Sequence, residues 1–221
     1  MNSMNKINIL FLCCVLLFLG IKTAGSQDAE IPKAKLPILT TSAGQSPDVM
    51  IVNIVCEEAG ILYDYCDVVT VELIKMGVGL AGEEERTGFH MEVYNDFDKY
   101  PKGTPYKTVI IAIGASLKGM GASGLTASDE VARLKKIIDY CKQNNIFIIG
   151  AHVGGSSKRG APGGDNERMI DAVAPFVDYL IVTGDGNKDG RFNKIAEEKS
   201  IPLTQIEYAL ELVDILKSVF E

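Results

Sequence analysis

The stretch Thr108-Val109-Ile110-Ile111-Ala112-Ile113-Gly114 decides the fold of this protein. A continuous run of apolar and β-branched residues that ends in glycine is typical of a strand buried on both faces, as the strands of parallel sheets are. Shorter runs of the same kind occupy residues 38–41, 146–150, 179–182 and 202–205. The sequence therefore predicts a sheet whose strands are largely enclosed by other layers.

Segments with helical periodicity separate these strands. The predicted helices cover residues 46–58, 128–144, 165–175, 191–199 and 206–220. Crossovers of about a dozen residues or more are the connections that join parallel strands. We therefore expect an α/β fold, namely a single three-layer domain with a mainly parallel five-stranded sheet, flavodoxin-like or Rossmann-like, in the strand order 2-1-3-4-5.

The segment between the first two of these strands is ambiguous. Residues 68–76 have apolar side chains at helical spacing but are also rich in valine, and we favour a helix there. Residues 77–86 combine glycines with an acidic run and predict an exposed loop. Residues 89–94 alternate between apolar and polar side chains, as a half-buried strand does.

The N-terminal residues predict a secretory signal peptide. Lys6 precedes an apolar run over residues 7–21, and Ala24-Gly25-Ser26 is a small-residue cleavage site. At about 15 residues the run is shorter than the roughly 20 needed to span a bilayer, with an uncleaved anchor as the alternative. We expect a signal peptide over residues 1–26 cleaved near Ser26, a flexible lead over residues 27–37 and the domain over residues 38–221.

Such a chain would be secreted or extracytoplasmic, in the periplasm or at the cell exterior, with no transmembrane domain in its mature part. The chain has 22 basic and 29 acidic residues. Removing residues 1–26 takes away two lysines and no acids, which leaves 20 − 29 = −9. This charge argues against nucleic acid as a partner. Cys56, Cys66 and Cys141 remain, and we expect them to be small buried hydrophobic side chains.

Four polar, glycine-bearing loops follow predicted strands, over residues 41–46, 114–124, 152–164 and 183–191. In an open parallel sheet ligands bind outside the carboxyl ends of the strands, so these loops are the expected site. The candidate ligand-binding residues are Ser42, Gly44, Gln45, Ser46, Gly114, Ser116, Lys118, Gly119, Gly121, His152, Gly154, Gly155, Lys158, Arg159, Asp185 and Asn187.

The charges on these loops favour a small polar anion as the ligand. Lys118, Lys158, Arg159 and Arg191 lie on them in an otherwise acidic chain. Successive glycines can also point backbone N–H groups into a concavity that binds carboxylate or phosphate. Acidic residues in the first helical turns oppose this interpretation, because they already complement the helix dipoles. These acids are Asp48, Asp129, Glu130 and Asp165.

The fourth loop makes calcium a candidate cofactor. Asp185-Gly186-Asn187-Lys188-Asp189-Gly190 places oxygen ligands at positions 1, 3 and 5 and glycine at position 6 of a calcium loop, with Asp185, Asn187 and Asp189 as the metal ligands. The closing acid is missing, since position 12 is Ala196. The alternative is a turn in which the side chains bind their own backbone.

His152 is the candidate catalytic residue, because it is the histidine predicted at the carboxyl end of a strand. A histidine there could act as a general base for Ser42, Ser46 or Ser116. No Gly-x-Ser-x-Gly motif accompanies it, and the sequence does not identify its partner. Its alternative role is a ligand donor or an anchor for the loop.

Three loop sequences resemble those of a bacterial secreted family that is catalogued only as a domain of unknown function. They are Leu39-Thr40-Thr41-Ser42-Ala43-Gly44-Gln45-Ser46, Ile113-Gly114-Ala115-Ser116-Leu117-Lys118-Gly119-Met120-Gly121-Ala122 and Asp185-Gly186-Asn187-Lys188-Asp189-Gly190. The resemblance extends from about residue 36 to the C-terminus, and residues 56–86 depart from it. It implies an extracytoplasmic α/β domain and leaves the chemistry open.

Three functions follow as hypotheses. The first is an extracytoplasmic small-molecule-binding protein whose ligand is a small polar anion, with a membrane transporter or sensor as a partner. The second is a hydrolase or transferase that acts on a phosphorylated or carboxylated substrate with His152 as base. The third is a calcium-binding structural or interaction domain.

Overall fold

One sheet of mostly parallel strands organises the residues that this computed structural model describes, 30–82 and 90–221. Its strands are β1 (Ile38–Ser42), β2 (Tyr63–Cys66), β3 (Met91–Val93), β4 (Thr108–Ala112), β5 (Phe147–His152), β6 (Tyr179–Thr183) and β7 (Leu203–Ile206). Their order is β3-β2-β1-β4-β5-β6-β7. All neighbours pair in parallel except β2 and β3, which are antiparallel.

Helices cover both faces of this sheet. They are α1 (Asp48–Ala59), α2 (Val71–Met76), α3 (Leu117–Ala122), α4 (Ala127–Gln143), α5 (Asp165–Val173), α6 (Arg191–Lys199) and α7 (Leu212–Phe220). Side chains of α1 and α7 pack on one face, and those of α2, α4, α5 and α6 on the other. Alternate residues of β4 enter the two clusters, so both faces of the strand are buried, as its apolar sequence predicts.

The α/β class and the mainly parallel sheet are therefore confirmed, whereas the predicted five strands and the order 2-1-3-4-5 are wrong. Seven strands are present among the described residues. β2 was missed because its sequence, Tyr63-Asp64-Tyr65-Cys66, places a carboxylate in the middle of a fully buried strand. A buried acid is tolerated where hydrogen bonds satisfy it, which sequence periodicity does not reveal.

The structure of residues 71–82 agrees only in part with the expectation for the ambiguous segment. The favoured helix is present as α2. Residues 77–80, however, are buried instead of forming an exposed loop, and a 3-10 turn spans Val78–Gly82. Gly77 has φ +74°, and a Cβ there would lie 2.5 Å from the carbonyl oxygen of Thr104, so this close approach requires glycine. The predicted acidic part of the loop lies outside the described residues.

The predicted flexible lead is ordered over residues 31–37. Ile31, Ala34 and Leu36 pack against the cluster formed by α1 and α7. The backbone N–H of Ala34 also donates to the carbonyl of Val219 at 2.9 Å. Three apolar residues scattered through the segment supply this packing, which the polar composition of the segment concealed. The predicted signal peptide lies outside the described residues, among which no helix is long and apolar enough to cross a membrane.

The cysteines behave as expected from the sequence. Cys56, Cys66 and Cys141 are buried free thiols in the described part of the chain. Burial is the largest cause that raises the pKa of each thiol, to about 12. The thiols are therefore protonated at neutral pH and contribute to packing.

The buried Asp64 carboxylate should be a large contributor to stability. Its Oδ2 accepts the N–H of Gly79 at 2.7 Å and the hydroxyl of Tyr106 at 2.5 Å. We expect Asp64→Ala to lower the free energy of unfolding by about 3 kcal/mol, because it leaves buried donors unpaired. Tyr106→Phe removes one of these bonds and should cost about 1 kcal/mol. Urea unfolding measures the free energy of unfolding of both variants. Equal losses would contradict the conclusion that Asp64 satisfies several buried donors at once.

Candidate functional site

The parallel order gathers the predicted site loops at the carboxyl edge of the sheet. The loop after β4 contacts the loop after β1, since the N–H of Ser116 donates to the carbonyl of Gly44 at 2.8 Å. The loop after β5 likewise contacts the loop after β6, where the N–H of Ser156 donates to Asp185 at 2.8 Å. The predicted loops thus form two adjoining pairs along one edge.

A buried ion pair from α4 holds the loop after β1 in place. Glu130 is fully buried, accepts the N–H of Gly44 at 2.8 Å and pairs with Arg133 at 2.8 Å. Arg133 in turn donates to the carbonyl of Ser42 at 2.6 Å and to that of Val69 at 3.1 Å. Glu130 was predicted as a helix-capping acid, but its structural role is to fix this loop.

A cavity of about 370 Å³ opens beside this loop. It lies between the loop, the start of α1, the end of β2 and the helix α3. Its lining residues are Ser42, Gln45, Ser46, Pro47, Val49, Met50, Tyr65, Asp67, Gly119, Ala122 and Ser123. Predicted residues that it brings together are Ser42, Gln45, Ser46 and Gly119. The volume is in the range of small-molecule sites in proteins, roughly 300–1,000 Å³.

Asp67 is the charged side chain among the residues that line this cavity. It directly follows β2, and its Oδ1 accepts the N–H groups of Val68 at 2.7 Å and His90 at 3.0 Å. Burial raises the pKa of this carboxyl above its ordinary value, although the hydrogen bonds from His90 and Val68 oppose the shift. Sequence reasoning missed Asp67 because it missed β2, whose carboxyl end would have marked it.

Gln45 forms an unusual part of the cavity wall. Its backbone φ is +55°, in the left-handed region that few residues other than glycine adopt. The side chain is 9% exposed, and its Nε2 has no hydrogen-bond partner among the described residues. Its Oε1 accepts the hydroxyl of Ser123 at 3.2 Å. A Cβ at Gly119 would lie 2.8 Å from the Cβ of Gln45, so glycine lets α3 pack directly against the loop.

A second buried carboxylate lies where the loops after β1, β4 and β5 meet. Asp48, the first residue of α1, is 6% exposed, and its Oδ2 has no partner among the described residues. A Cβ at Gly154 would lie 2.2 Å from this oxygen, and a Cβ at Gly114 would lie 3.2 Å from it. These predicted glycines therefore make room for Asp48. Lys158 covers them and donates from Nζ to the carbonyl of Ala115 at 3.3 Å.

The arginines proposed to bind an anion are neutralised within the chain. Arg159 pairs with Glu167 at 2.8 Å and Asp189 at 2.7 Å, and donates to the carbonyl of Gly186 at 2.6 Å. Arg191 pairs with the same Glu167 and with Asp171. The hydrogen bond from Arg159 lowers the pKa of Asp189 to about 2. These contacts remove the main support for an anion held by the arginines.

The glycines of the second loop do not form the expected backbone cradle. Gly119 and Gly121 lie within α3, whose first turn is capped by Ser116, which accepts the N–H of Gly119 at 3.1 Å. The N–H groups of Ser116, Gly119 and Met120 already donate to the carbonyl of Gly44, the hydroxyl of Ser116 and the carbonyl of Ser116, so they are not available to a ligand. Lys118 is exposed on this short helix. The contribution of the loop to the cavity is a close-packed wall.

The fourth loop uses its oxygen ligands internally. Lys188, the largest influence, and Ser156 lower the pKa of Asp185. Asn187 accepts the N–H of Phe192 at 3.0 Å and donates to Gln205 at 3.0 Å, while Asp189 pairs with Arg159. No cluster of three acidic, histidine or cysteine side chains is present in the described ranges. These contacts fit the alternative of a side-chain-stabilised turn.

His152 is packed into the core. It is fully buried, and its ring lies 4.8 Å from that of Phe192. Its Nε2 lies 3.3 Å from the carbonyl of Lys158, and its Nδ1 has no partner in the described part of the chain. Burial is the largest cause that lowers its pKa. Because the ring of His152 contacts a backbone carbonyl of the loop after β5, the geometry favours a role as loop anchor over a role as general base.

Sequence comparison places the chain among known families. Residues 35–220 match a family described as Domain of unknown function (DUF6305). The chain belongs to this family. The resemblance to a domain of unknown function is thereby confirmed, and the DUF6305 match spans the whole sheet. No curated protein matches the chain, and no solved structure does.

The ion pair between Glu130 and Arg133 gives a stability prediction for this DUF6305 domain. Glu130→Ala should lower the free energy of unfolding by about 3 kcal/mol, because it leaves Arg133 buried without its partner. Asp139→Ala breaks the exposed pair with Lys135 on the same helix and should cost less than about 1 kcal/mol. Urea unfolding at one pH compares the stability of the two variants. Similar losses of stability would contradict the role of the Glu130–Arg133 pair in holding the loop after β1.

Buried His152 predicts a loss of stability in mild acid. Since its pKa is lowered in the folded state, the unfolded chain binds a proton first as the pH falls. Between about pH 7.5 and pH 5.5 the wild type should lose about 1 kcal/mol more than His152→Leu. His90 is present in both proteins and serves as the internal control. Equal losses in a urea series over this range would show that His152 is not the group responsible.

Proposed function

We propose that this chain is a non-catalytic extracytoplasmic protein that binds a small polar molecule in the cavity beside β1 and β2. The observation that carries the proposal is Gln45, a nine-tenths buried residue in the cavity wall whose amide nitrogen has no partner among the described residues. Buried polar groups without partners are costly, and they are found where a ligand or a function compensates. The position of the cavity at the carboxyl edge of a parallel sheet adds support.

The compartment belongs to the same proposal. It is supported by the N-terminal sequence, in which a basic start, an apolar run and a small-residue cleavage site precede the domain. Binding without catalysis is supported by the position of His152, whose ring packs against Phe192 in the core and whose Nε2 lies against the carbonyl of Lys158. A role accessory to transport or sensing follows from these two points, with a membrane transporter or sensor as the partner.

The polarity of the cavity decides which ligands are worth testing. Its wall combines the hydroxyls of Ser42, Ser46 and Ser123 with one carboxylate, Asp67. The ion-paired arginines Arg159 and Arg191 are not among its lining residues. Neutral or positively charged polar molecules therefore suit this cavity better than the anion that the loop charges suggested.

Thermal unfolding of the purified protein tests the proposal against sugars, amines, organic acids and phosphates. A ligand at about one hundred times its dissociation constant adds about 2.7 kcal/mol. For a domain of this size that raises Tm by roughly 5–10 °C. Ala122→Trp places a bulky side chain at the cavity rim and should abolish the shift, whereas Leu117→Trp, on an exposed position of the same helix, should retain it.

Two outcomes would contradict the proposal. One is that no compound in the panel raises Tm of the wild type. The other is that a compound raises Tm of Ala122→Trp as much as that of the wild type, which would place the ligand elsewhere on the molecule.

A further inference from the structure

The two oxygens of the Asp67 carboxylate have different surroundings. Oδ1 is occupied by the backbone N–H groups of Val68 and His90. Oδ2 receives no hydrogen bond from the residues that the structure describes, and Asp67 lines the cavity. An ionised carboxylate oxygen is an acceptor without a donor function, so its natural partner is an N–H or O–H group that enters the cavity.

Arg133, a described cation near Asp67, is committed to other contacts. Arg133 is held by Glu130 and by the carbonyls of Ser42 and Val69. Burial raises the pKa of Asp67 because it disfavours the charged carboxylate unless a partner compensates the charge. A ligand with a positive charge would supply the compensation.

The cavity also has an apolar surface. Pro47, Val49 and Met50 line it, and Met50 is 42% exposed although it is a large apolar side chain. A ligand that reached Asp67 through the cavity would cover this surface. The cavity thus presents one carboxylate oxygen, several hydroxyls and an apolar wall within about 370 Å³.

We propose that the ligand carries a protonated nitrogen, which donates to Oδ2 of Asp67, on a small apolar body that contacts Met50. This inference rests on the proposed function and specifies its ligand class as organic ammonium compounds. The charge-assisted hydrogen bond supplies selectivity, and burial of the apolar body supplies further affinity. A carboxylate or phosphate ligand would meet the negative charge of Asp67 and is disfavoured.

Three compounds that share a phenylethyl-sized body test the class directly. They are 2-phenylethylamine, 2-phenylethanol and phenylacetate, which present an ammonium, a hydroxyl and a carboxylate. Titration followed by ¹H–¹⁵N NMR of the amides of Ser42, Gln45 and Ser123 reports binding in the cavity. We expect the amine to bind about tenfold more tightly than the alcohol, and the acid to bind most weakly.

Asp67→Asn isolates the interaction. The amide oxygen of asparagine can still accept from Val68 and His90, while an NH₂ group replaces Oδ2, so the loop keeps its contacts and the cavity loses its charge. The variant should lose about tenfold in affinity for the amine and leave the alcohol nearly unchanged. Asp96→Asn makes the same charge change at an exposed position outside the cavity and should alter neither.

The failures of the two proposals are distinguishable. If the alcohol or the acid binds at these amides as tightly as the amine, the cavity is a binding site and the inferred ligand class is wrong. If Asp67→Asn leaves amine binding unchanged, the inferred contact is wrong. If none of the three compounds perturbs these amides, the inference is again overturned, and the wider thermal panel decides separately on the proposed function.

Discussion

The ion pair between Glu130 and Arg133 is the constraint on which the candidate site depends. The turn after β1 leaves the N–H of Gly44 and the carbonyl of Ser42 without partners in the sheet, and α4 supplies both partners through this pair. Arg133 also binds the carbonyl of Val69 beyond β2. One helix therefore positions both segments that form the polar end of the cavity, and the charges are stable there because each is hydrogen-bonded on several sides.

Ion pairing within the protein also explains why the charged residue of the cavity is acidic although several cations lie at the same edge of the sheet. Arg159 and Arg191 share Glu167, and Arg159 also holds Asp189, so these groups tie the loops after β5 and β6 to α5 and α6. The charges of these two arginines are therefore neutralised in structural ion pairs. Asp67 is different, because backbone amides satisfy one of its oxygens and the other receives no hydrogen bond from the described residues. The cavity thus presents a negative charge to a ligand, although the loops carry several cations, because the arginines are neutralised by ion pairs.

The fold was predictable where burial alone determines a strand, as in β4, and where a helix has one apolar stripe, as in α4. For the candidate site, the sequence predicted the carboxyl edge of the sheet and some of the residues that line the cavity there, and it missed Asp67. β2 was not predictable, because Asp64 is made tolerable by partners as distant as Tyr106. Pairings such as Gly44 with Glu130 join residues 86 positions apart, and no local pattern encodes them. Sequence periodicity predicts which residues are buried. Which hydrogen-bond partner a buried polar group finds depends on the arrangement of the strands in the folded sheet.

Gln45 links the strain of the fold to the cavity. Gly44 already has a positive φ, so the turn after β1 has its glycine, yet the next residue is also left-handed and is not glycine. Its amide nitrogen is buried without a partner among the described residues. A glycine at position 45 would avoid both costs. The strained backbone of Gln45 and its place in the cavity wall both fit the ligand-binding role that we propose for its side chain.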